Sequence, residues 1–331
     1  MITITGAAGH IGNVLVRKLL KQGEQVRVLL LRGEDDKSLV GLDVEKVYGN
    51  ILDYESLKKA FKDTEIVYHL AAIVSITKKQ RQLMDKVNIE GTENVIRAGK
   101  EMNVKRLVYT SSIHAFVELE REAVLSESNA VDPEKIVGDY AKSKAAATLE
   151  VLKASKESLE TVVVAPAGVL GPYDFRPSEM GQLFIEYINQ TLKAYVDGEY
   201  NFVDVRDVVD GMIAASKKGR SGEIYLLTGE VMTVPQIMNM LQEVTGITKP
   251  KWKLPLWFAY ITTPLAMLYY KIKKTRPLFT QYSIYTLTTN SRADNGKARR
   301  ELGFSPRPLK NSVIDTTKWL EKEGMVKIKK K

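Results

Sequence analysis

The sequence predicts an α/β protein: a doubly wound parallel sheet with helices on both faces, completed by a smaller mixed C-terminal domain. Three observations carry this. Aliphatic, strand-like runs alternate with segments of helical periodicity through the first half of the chain, with short loops between them. The chain opens on such a run and turns at once through glycines 6, 9 and 12 into a helix. A length of 331 residues with 44% hydrophobic content suffices for one large or two interleaved domains.

The opening stretch, MITITGAAGHIG, fits a strand (Ile2, Ile4) followed by a phosphate-binding turn. Gly6 permits the tight turn, Gly9 lets the main chain approach a phosphate without a Cβ in the way, and Gly12 allows the next helix to pack closely on the sheet. Ile11, Val14, Leu15 and Leu19 repeat at helical spacing, so the glycines sit at a helix N-terminus, where amide N–H groups and the dipole attract an anion.

Residues 25–31 (QVRVLLL) read as a buried parallel strand. At its end, where an NAD-selective protein presents an acid to the ribose, stand Leu30 and Leu31, while Arg32 and Lys37 can meet a 2′-phosphate. Glu34, Asp35 and Asp36 lie just beyond. NADP is therefore modestly preferred over NAD. Strands are then expected at 44–48, 65–70, 106–110 and 161–165, with helices at about 54–61, 80–102 and 137–158. A strand and helix at 202–205 and 207–216 return to this part, and the rest reads as shorter helices. The expected division is a cofactor-binding domain over 1–170, with the returning segment near 202–217, and a substrate domain over 171–331.

The absence of cysteine excludes a disulfide framework and thiolate metal sites, and His10, His69 and His114 are scattered, so metal-free catalysis is expected. The strand starting at residue 2 leaves no room for a secretory signal, which makes the cytoplasm the expected compartment. The net charge of +9 owes much to the terminal KIKKK, and no aromatic-basic motif suggests nucleic acid. Residues 254–272, the most apolar run, are broken by Pro255 and Pro264 and fall short of a membrane span. They read as a buried or substrate-facing helix pair, with peripheral membrane contact as the alternative.

Tyr140 and Lys144, four apart, share a helix face, and an ammonium there can lower a phenol's pKa. The same spacing recurs at Tyr54/Lys58, Tyr269/Lys273 and Tyr270/Lys274, so spacing alone does not select a site. Position does: Tyr140 follows the strand that delivers Ser111 and Ser112 to the carboxyl edge of the sheet, where open α/β folds bind ligands.

TGAAGHIG, HLAA (69–72), NIEGT (88–92), YTSS (109–112), YAKSK (140–144), GVLGP (168–172), FVDVRDV (202–208) and KARRELGFSPRPL (297–309) together resemble the extended short-chain dehydrogenase/reductase family, most closely its dihydroflavonol-reductase-like branch. The resemblance implies a Rossmann-type domain, NAD(P), and a catalytic triad falling on Ser112, Tyr140 and Lys144. It further implies that Gly6, Gly9, His10, Ile11 and Gly12 hold the pyrophosphate and that Asn50 and Ile51 meet the adenine. Leu70, Ala71, Ala72 and Thr110 would line the phosphate and ribose, and Pro166 and Val169 the nicotinamide. Relatives pair through the helices near 80–102 and 137–158, so a homodimer is expected.

Sugar-nucleotide epimerases and dehydratases of that family carry Arg and Asn where this chain has Ala165 and Gly168. That departure favours an apolar ketone or secondary alcohol as the small-molecule substrate. The aromatic side chains Phe175, Phe184, Tyr187, Trp257, Phe258, Tyr260, Tyr269 and Tyr270 are the expected source of its pocket. Epimerase/dehydratase chemistry is the alternative, and a catalytically retired cofactor sensor the third reading.

Overall fold

A computed structural model describes residues 1–74, 81–273 and 280–328. In the first half, β1 (Ile2–Thr5), α1 (His10–Lys21), β2 (Val26–Leu30), β3 (Glu45–Tyr48), α2 (Tyr54–Phe61) and β4 (Ile66–His69) alternate as expected. Aliphatic side chains on both faces of β1 and β2 are buried, as a sheet covered on two sides requires. Beyond β4, the predicted helix at 80–102 starts within the described residues at Arg81. It consists of α3 (Arg81–Asp85), a π-helical turn at Lys86–Glu90 and α4 (Gly91–Glu101). The π turn rotates Asn88 inward, to 1% exposure, a local distortion often found at functional sites.

The chain continues through β5 (Arg106–Thr110), α5 (Asp139–Ala154), β6 (Glu160–Pro166), β7 (Gly168–Leu170), α6 (Glu179–Ile188), β8 (Ala194–Val196), β9 (Glu199–Asp204) and α7 (Val205–Lys218). The helical reading of the remainder misses β10 (Glu223–Leu227), β11 (Glu230–Thr233) and β12 (Trp252–Leu254). Helices α8 (Val234–Thr245), α9 (Leu256–Lys273), α10 (Gln281–Thr286), α11 (Gly296–Leu302) and α12 (Leu309–Lys322) follow.

Seven parallel strands form the main sheet in the order β10-β6-β5-β4-β1-β2-β3. The order reverses between β1 and β4, and the crevice outside the carboxyl ends of strands at such a switch point is where this architecture binds ligands. The glycine turn leaves β1 there, and the Leu70–Ala72 segment leaves β4 beside it. The sheet's core draws on residues up to Val169 and again on Val203–Leu227 and Ala298–Phe304. A second core joins α6, α8 and α12 under a three-stranded sheet, β11-β9-β7.

Residues 254–272 are not the expected buried helix pair. From Leu256 on they form one helix, α9, with Pro264 inside it and with Trp257, Ile261, Leu265, Leu268 and Ile272 exposed. Proline at 264 removes one amide donor without ending the helix.

Candidate active site

Gly6 takes φ +74°, and a Cβ on it would lie 2.6 Å from the Ala71 amide nitrogen, so the turn is pressed onto the exit of β4. A Cβ on Gly12 would lie 2.2 Å from the Gly6 carbonyl oxygen and 2.8 Å from Ala7 Cα. The smallness of Gly12 therefore serves contact between α1 and its own entry turn, rather than between α1 and the sheet as the sequence suggested. On Gly9 a Cβ would meet only the Gly6 oxygen, at 3.3 Å, and that side of the turn is otherwise open. Gly9 N-caps α1 without a side-chain hydrogen bond, and the first helical turn has no acid. This cradle, with uncapped amides beside an open glycine face, fits a pyrophosphate. Ile11 packs against the main core. His10 Nε2 shares a hydrogen bond with the Pro172 carbonyl (3.0 Å), and Asn13 donates to the Tyr173 carbonyl (3.1 Å), tying the turn to the second half of the molecule.

At the end of β2, Leu31 and Arg32 are exposed, and Arg32 has no hydrogen-bond or ion-pair partner among the described residues. The nearby acids are engaged. Glu34 accepts from the Leu31 amide (3.1 Å) and Arg176 (3.4 Å), Asp35 from the Lys37 amide (3.1 Å), and Asp36 from Lys46 (2.8 Å). Asn50 is exposed, its Oδ1 accepting from the Leu52 amide at 2.9 Å. Ile51 is turned inward against α4, where a Cβ on Gly91 would lie 2.6 Å from Ile51 Cδ1. Its carbonyl accepts from Asn94. Leu70, Ala71 and Ala72 are half-buried along the crevice, with the Leu70 amide donating to the Thr5 carbonyl (3.1 Å).

β5 ends at Thr110, which is followed by the two serines. Ser111 is buried and shares a 2.6 Å hydrogen bond with Thr148 of α5, so it serves packing. Ser112 caps a short 3-10 turn by accepting from the His114 amide (3.2 Å), and its hydroxyl acts to lower the pKa of Tyr140. Lys144 is 3% exposed, and its Nζ donates to the Thr110 carbonyl (2.6 Å) and lies 4.2 Å from the centroid of the Tyr109 ring. Burial without a carboxylate partner brings its pKa down to about 7. Burial also pushes Tyr140 up to about 12, against the opposing effect of the Ser112 hydroxyl. The sequence expectation that Lys144 lowers the phenol's pKa is not met. Helical spacing puts both residues on one face, but the amine is directed at Thr110 and Tyr109, and desolvation dominates.

Behind this pair runs a buried polar chain. His69 Nδ1 hydrogen-bonds Thr5 Oγ1 (2.6 Å) and its Nε2 hydrogen-bonds Thr92 Oγ1 (3.0 Å), while burial drops its pKa to about 3. Asn88 accepts from the Ile73 amide, donates to the Ile73 carbonyl and donates to Ser143 on α5 (2.9 Å), joining the β4 exit to the helix that carries Tyr140. Pro166 ends β6 and is buried, and Val169 is half-buried on β7.

Three site residues escaped sequence reasoning. Tyr200 Oη and His114 Nε2 share a 2.6 Å hydrogen bond, and the His114 ring centroid lies 6.2 Å from that of Tyr282. A Cβ on Gly168 would lie 2.7 Å from Tyr200 Cε1, and one on Gly138, two residues before Tyr140, 2.3 Å from Tyr282 Cε2. Tyr282 sits on α10, outside every motif. For Tyr200 and Tyr282 the nearest sequence signal is their partner His114, two residues after Ser112. Among the described residues no group of three or more His, Asp or Glu side chains is arranged to hold a metal ion.

The aromatic residues named from sequence lie elsewhere. Phe184 and Tyr187 are buried in the second core, Phe175 packs edge-on against Trp319 at 5.2 Å, and Trp257, Phe258 and Tyr260 are exposed. The side chains of Tyr269 and Tyr270, and Lys274, lie outside the described residues. Tyr54 hydrogen-bonds Glu101, and Lys58 pairs with the same carboxylate at 2.8 Å, so this alternative Tyr/Lys pair is a surface cluster.

The family model for the NAD dependent epimerase/dehydratase family matches residues 2–228. Sterol demethylase protein B of Methylococcus capsulatus is 36% identical over 327 residues, covering 98% of this chain and 99% of that one. A Synechocystis protein provisionally named dihydroflavonol 4-reductase is 31% identical over 333 residues, covering 98% and 95%. The crystal structure of gox2253 superposes with a TM-score of 0.86 at 29% identity, covering 99% of each chain.

Proposed function

The chain belongs to the NAD-dependent epimerase/dehydratase family, within the extended short-chain dehydrogenases/reductases, and from that premise we propose that it interconverts an apolar ketone and its secondary alcohol using NADP(H). The observation that carries the substrate class is the Tyr200 ring lying against Gly168, one of the two positions where family members that hold a nucleotide sugar place a polar side chain. With Ala165 fully buried at the other, neither holding group is available. The rings of Tyr200, His114 and Tyr282 cluster instead, with Tyr282 against Gly138 two residues before Tyr140, and such rings suit a largely apolar ligand fixed by one or two polar contacts. The names of the two relatives, a sterol demethylase protein and a dihydroflavonol 4-reductase, support that class.

The pyrophosphate of the cofactor would be held by Gly6, Gly9, His10, Ile11 and Gly12, the adenine by Asn50 and Ile51, and a 2′-phosphate by Arg32. The ribose and nicotinamide would lie along Leu70, Ala71, Ala72, Thr110, Pro166 and Val169, with Tyr140 and Lys144 beneath. When bound, the nicotinamide supplies or accepts the hydride. Tyr140 is protonated at neutral pH, so its Oη donates to the carbonyl oxygen during reduction and takes the proton back during oxidation. Ser112 Oγ, at the end of β5 beside Tyr140, holds the same oxygen. The Lys144 amine, its pKa brought down to about 7 by burial, is fixed by the Thr110 carbonyl and would serve as a donor to the nicotinamide ribose. Two copies would associate through α4 and α5, where Leu149 is exposed, although Val95 and Ile96, expected on that face, belong to the chain's own core.

Tyr140→Phe should bind cofactor normally and lose turnover by about 100-fold or more. The test is a panel of apolar ketones, secondary alcohols and nucleotide sugars followed by nicotinamide absorbance, with product analysis of the sugars. Full activity in Tyr140→Phe refutes the mechanism, and turnover of a nucleotide sugar alone refutes the substrate class.

A further inference from the structure

The largest unexplained feature of the surface is α9. Its inward side is small and fixed: Ala259 and Thr263 are buried, and Ala259 shares a cluster with Val196 and Ile284. Its outward side is not that of a solvated helix. Trp257, Ile261, Leu265, Leu268 and Ile272 recur at intervals of three or four residues, and each is more than half exposed. Trp252 of the adjoining β12 is exposed as well. A stripe of this length, running the whole of an 18-residue helix of about 27 Å, goes well beyond the single apolar residues scattered over ordinary surfaces.

Charge identifies what covers the stripe. From Lys249 to Thr280 the sequence holds seven basic residues and no acidic one. Three of them (Lys249, Lys251, Lys253) precede the helix, and four (Lys271, Lys273, Lys274, Arg276) stand in its last turn or just beyond. Lys251 and Lys253 are exposed, Lys253 while paired with Asp197 at 2.7 Å. An apolar ridge with tryptophan at one end and cations at both ends matches a helix lying in the plane of an anionic membrane surface. A second copy of the chain fits poorly, because a two-fold contact with antiparallel helices brings basic ends onto basic ends. Among the described residues no helix is long and apolar enough to cross a membrane, so the helix lies on the surface rather than spanning.

We propose that α9, with Trp252, Lys251 and Lys253 of the adjoining segment, docks the protein onto an anionic lipid surface. The docking stands on this patch alone. If the substrate reading above also holds, docking has a use, since α9 packs on α10, which carries Tyr282 beside the candidate site, and an apolar ligand dissolved in lipid is presented close to its pocket.

The experiment is sedimentation of the full chain with vesicles of phosphatidylcholine, with or without about 30% phosphatidylglycerol. The anionic vesicles should capture the protein about tenfold better or more, and high salt should reverse much of the difference. Binding should shift tryptophan emission to the blue, a change that comes from Trp252 and Trp257 because Trp319 is already buried. Ile261→Glu/Leu265→Glu should lower vesicle partition about tenfold or more while leaving melting temperature and cofactor affinity unchanged. No capture by anionic vesicles, or equal capture of the double variant, overturns the proposal. So does a double variant that loses self-association while the parent shows no vesicle binding. None of these readouts depends on turnover, so a wrong substrate class leaves them intact.

Discussion

Replacing Lys144 with methionine should stabilise the protein while it abolishes turnover. Burial lowers the lysine pKa from 10.5 to about 7, which at about 1.4 kcal/mol per pH unit costs the folded state about 5 kcal/mol near pH 7. Methionine fills similar space without a charge, but it removes the donor to the Thr110 carbonyl and leaves that oxygen buried and unpaired, a loss of about 1–3 kcal/mol. The net gain near pH 7 is therefore about 2–4 kcal/mol. The sign reverses with pH. Between about 7 and 10.5 the unfolded chain carries a proton on this amine that the folded chain lacks, so parent stability rises across that window, and the variant's advantage should shrink by about 1.4 kcal/mol per pH unit. Urea denaturation of both proteins without cofactor, at pH 7 and about pH 9, measures it. A variant less stable than the parent at pH 7, or an advantage that does not change with pH, would refute the reasoning.

Arg32→Ala should weaken NADPH binding by about tenfold and leave NADH unchanged, because the arginine is exposed and unpartnered while the acids beside it are engaged; equal effects on both cofactors in a fluorescence titration would contradict this. Gly9→Val should keep its melting temperature, since the added side chain meets only one carbonyl oxygen, yet lose both cofactors; Gly12→Ala, which drives a Cβ into backbone, should melt lower. As pH falls from 6.5 towards about 3, unfolded His69 takes a proton that the buried ring refuses, so stability should drop by up to about 1.4 kcal/mol per pH unit, and His69→Gln should flatten that limb of the stability–pH curve. Sedimentation at micromolar concentration should give a dimer that Leu149→Glu dissociates; a monomeric parent would rule out the α4–α5 association.

The sheet was legible because its signals are local. β1, β2, β4 and β5 are short runs dominated by β-branched, aliphatic and aromatic residues, the positive φ of Gly6 is a property of glycine, and the turn from strand to helix follows from spacing. The positions of Ser112, Tyr140 and Lys144 at one sheet edge followed from the order of elements. What those residues experience did not. The pKa values of Tyr140 and Lys144 are set by how completely the fold dries them and by which neighbour the amine faces, and neither is written in a four-residue interval. Asn88 reaches Ser143 only because a π turn rotates it inward. Tyr200 and Tyr282 meet His114 across 86 and 168 residues of chain, contacts that no periodicity encodes. Aromatic content in the second half was plain from sequence, but its partition among core, site and surface belongs to the tertiary structure. Hydrophobicity states that a side chain leaves water at a gain, and only packing decides what covers it, which on the outward side of α9 is nothing among the described residues.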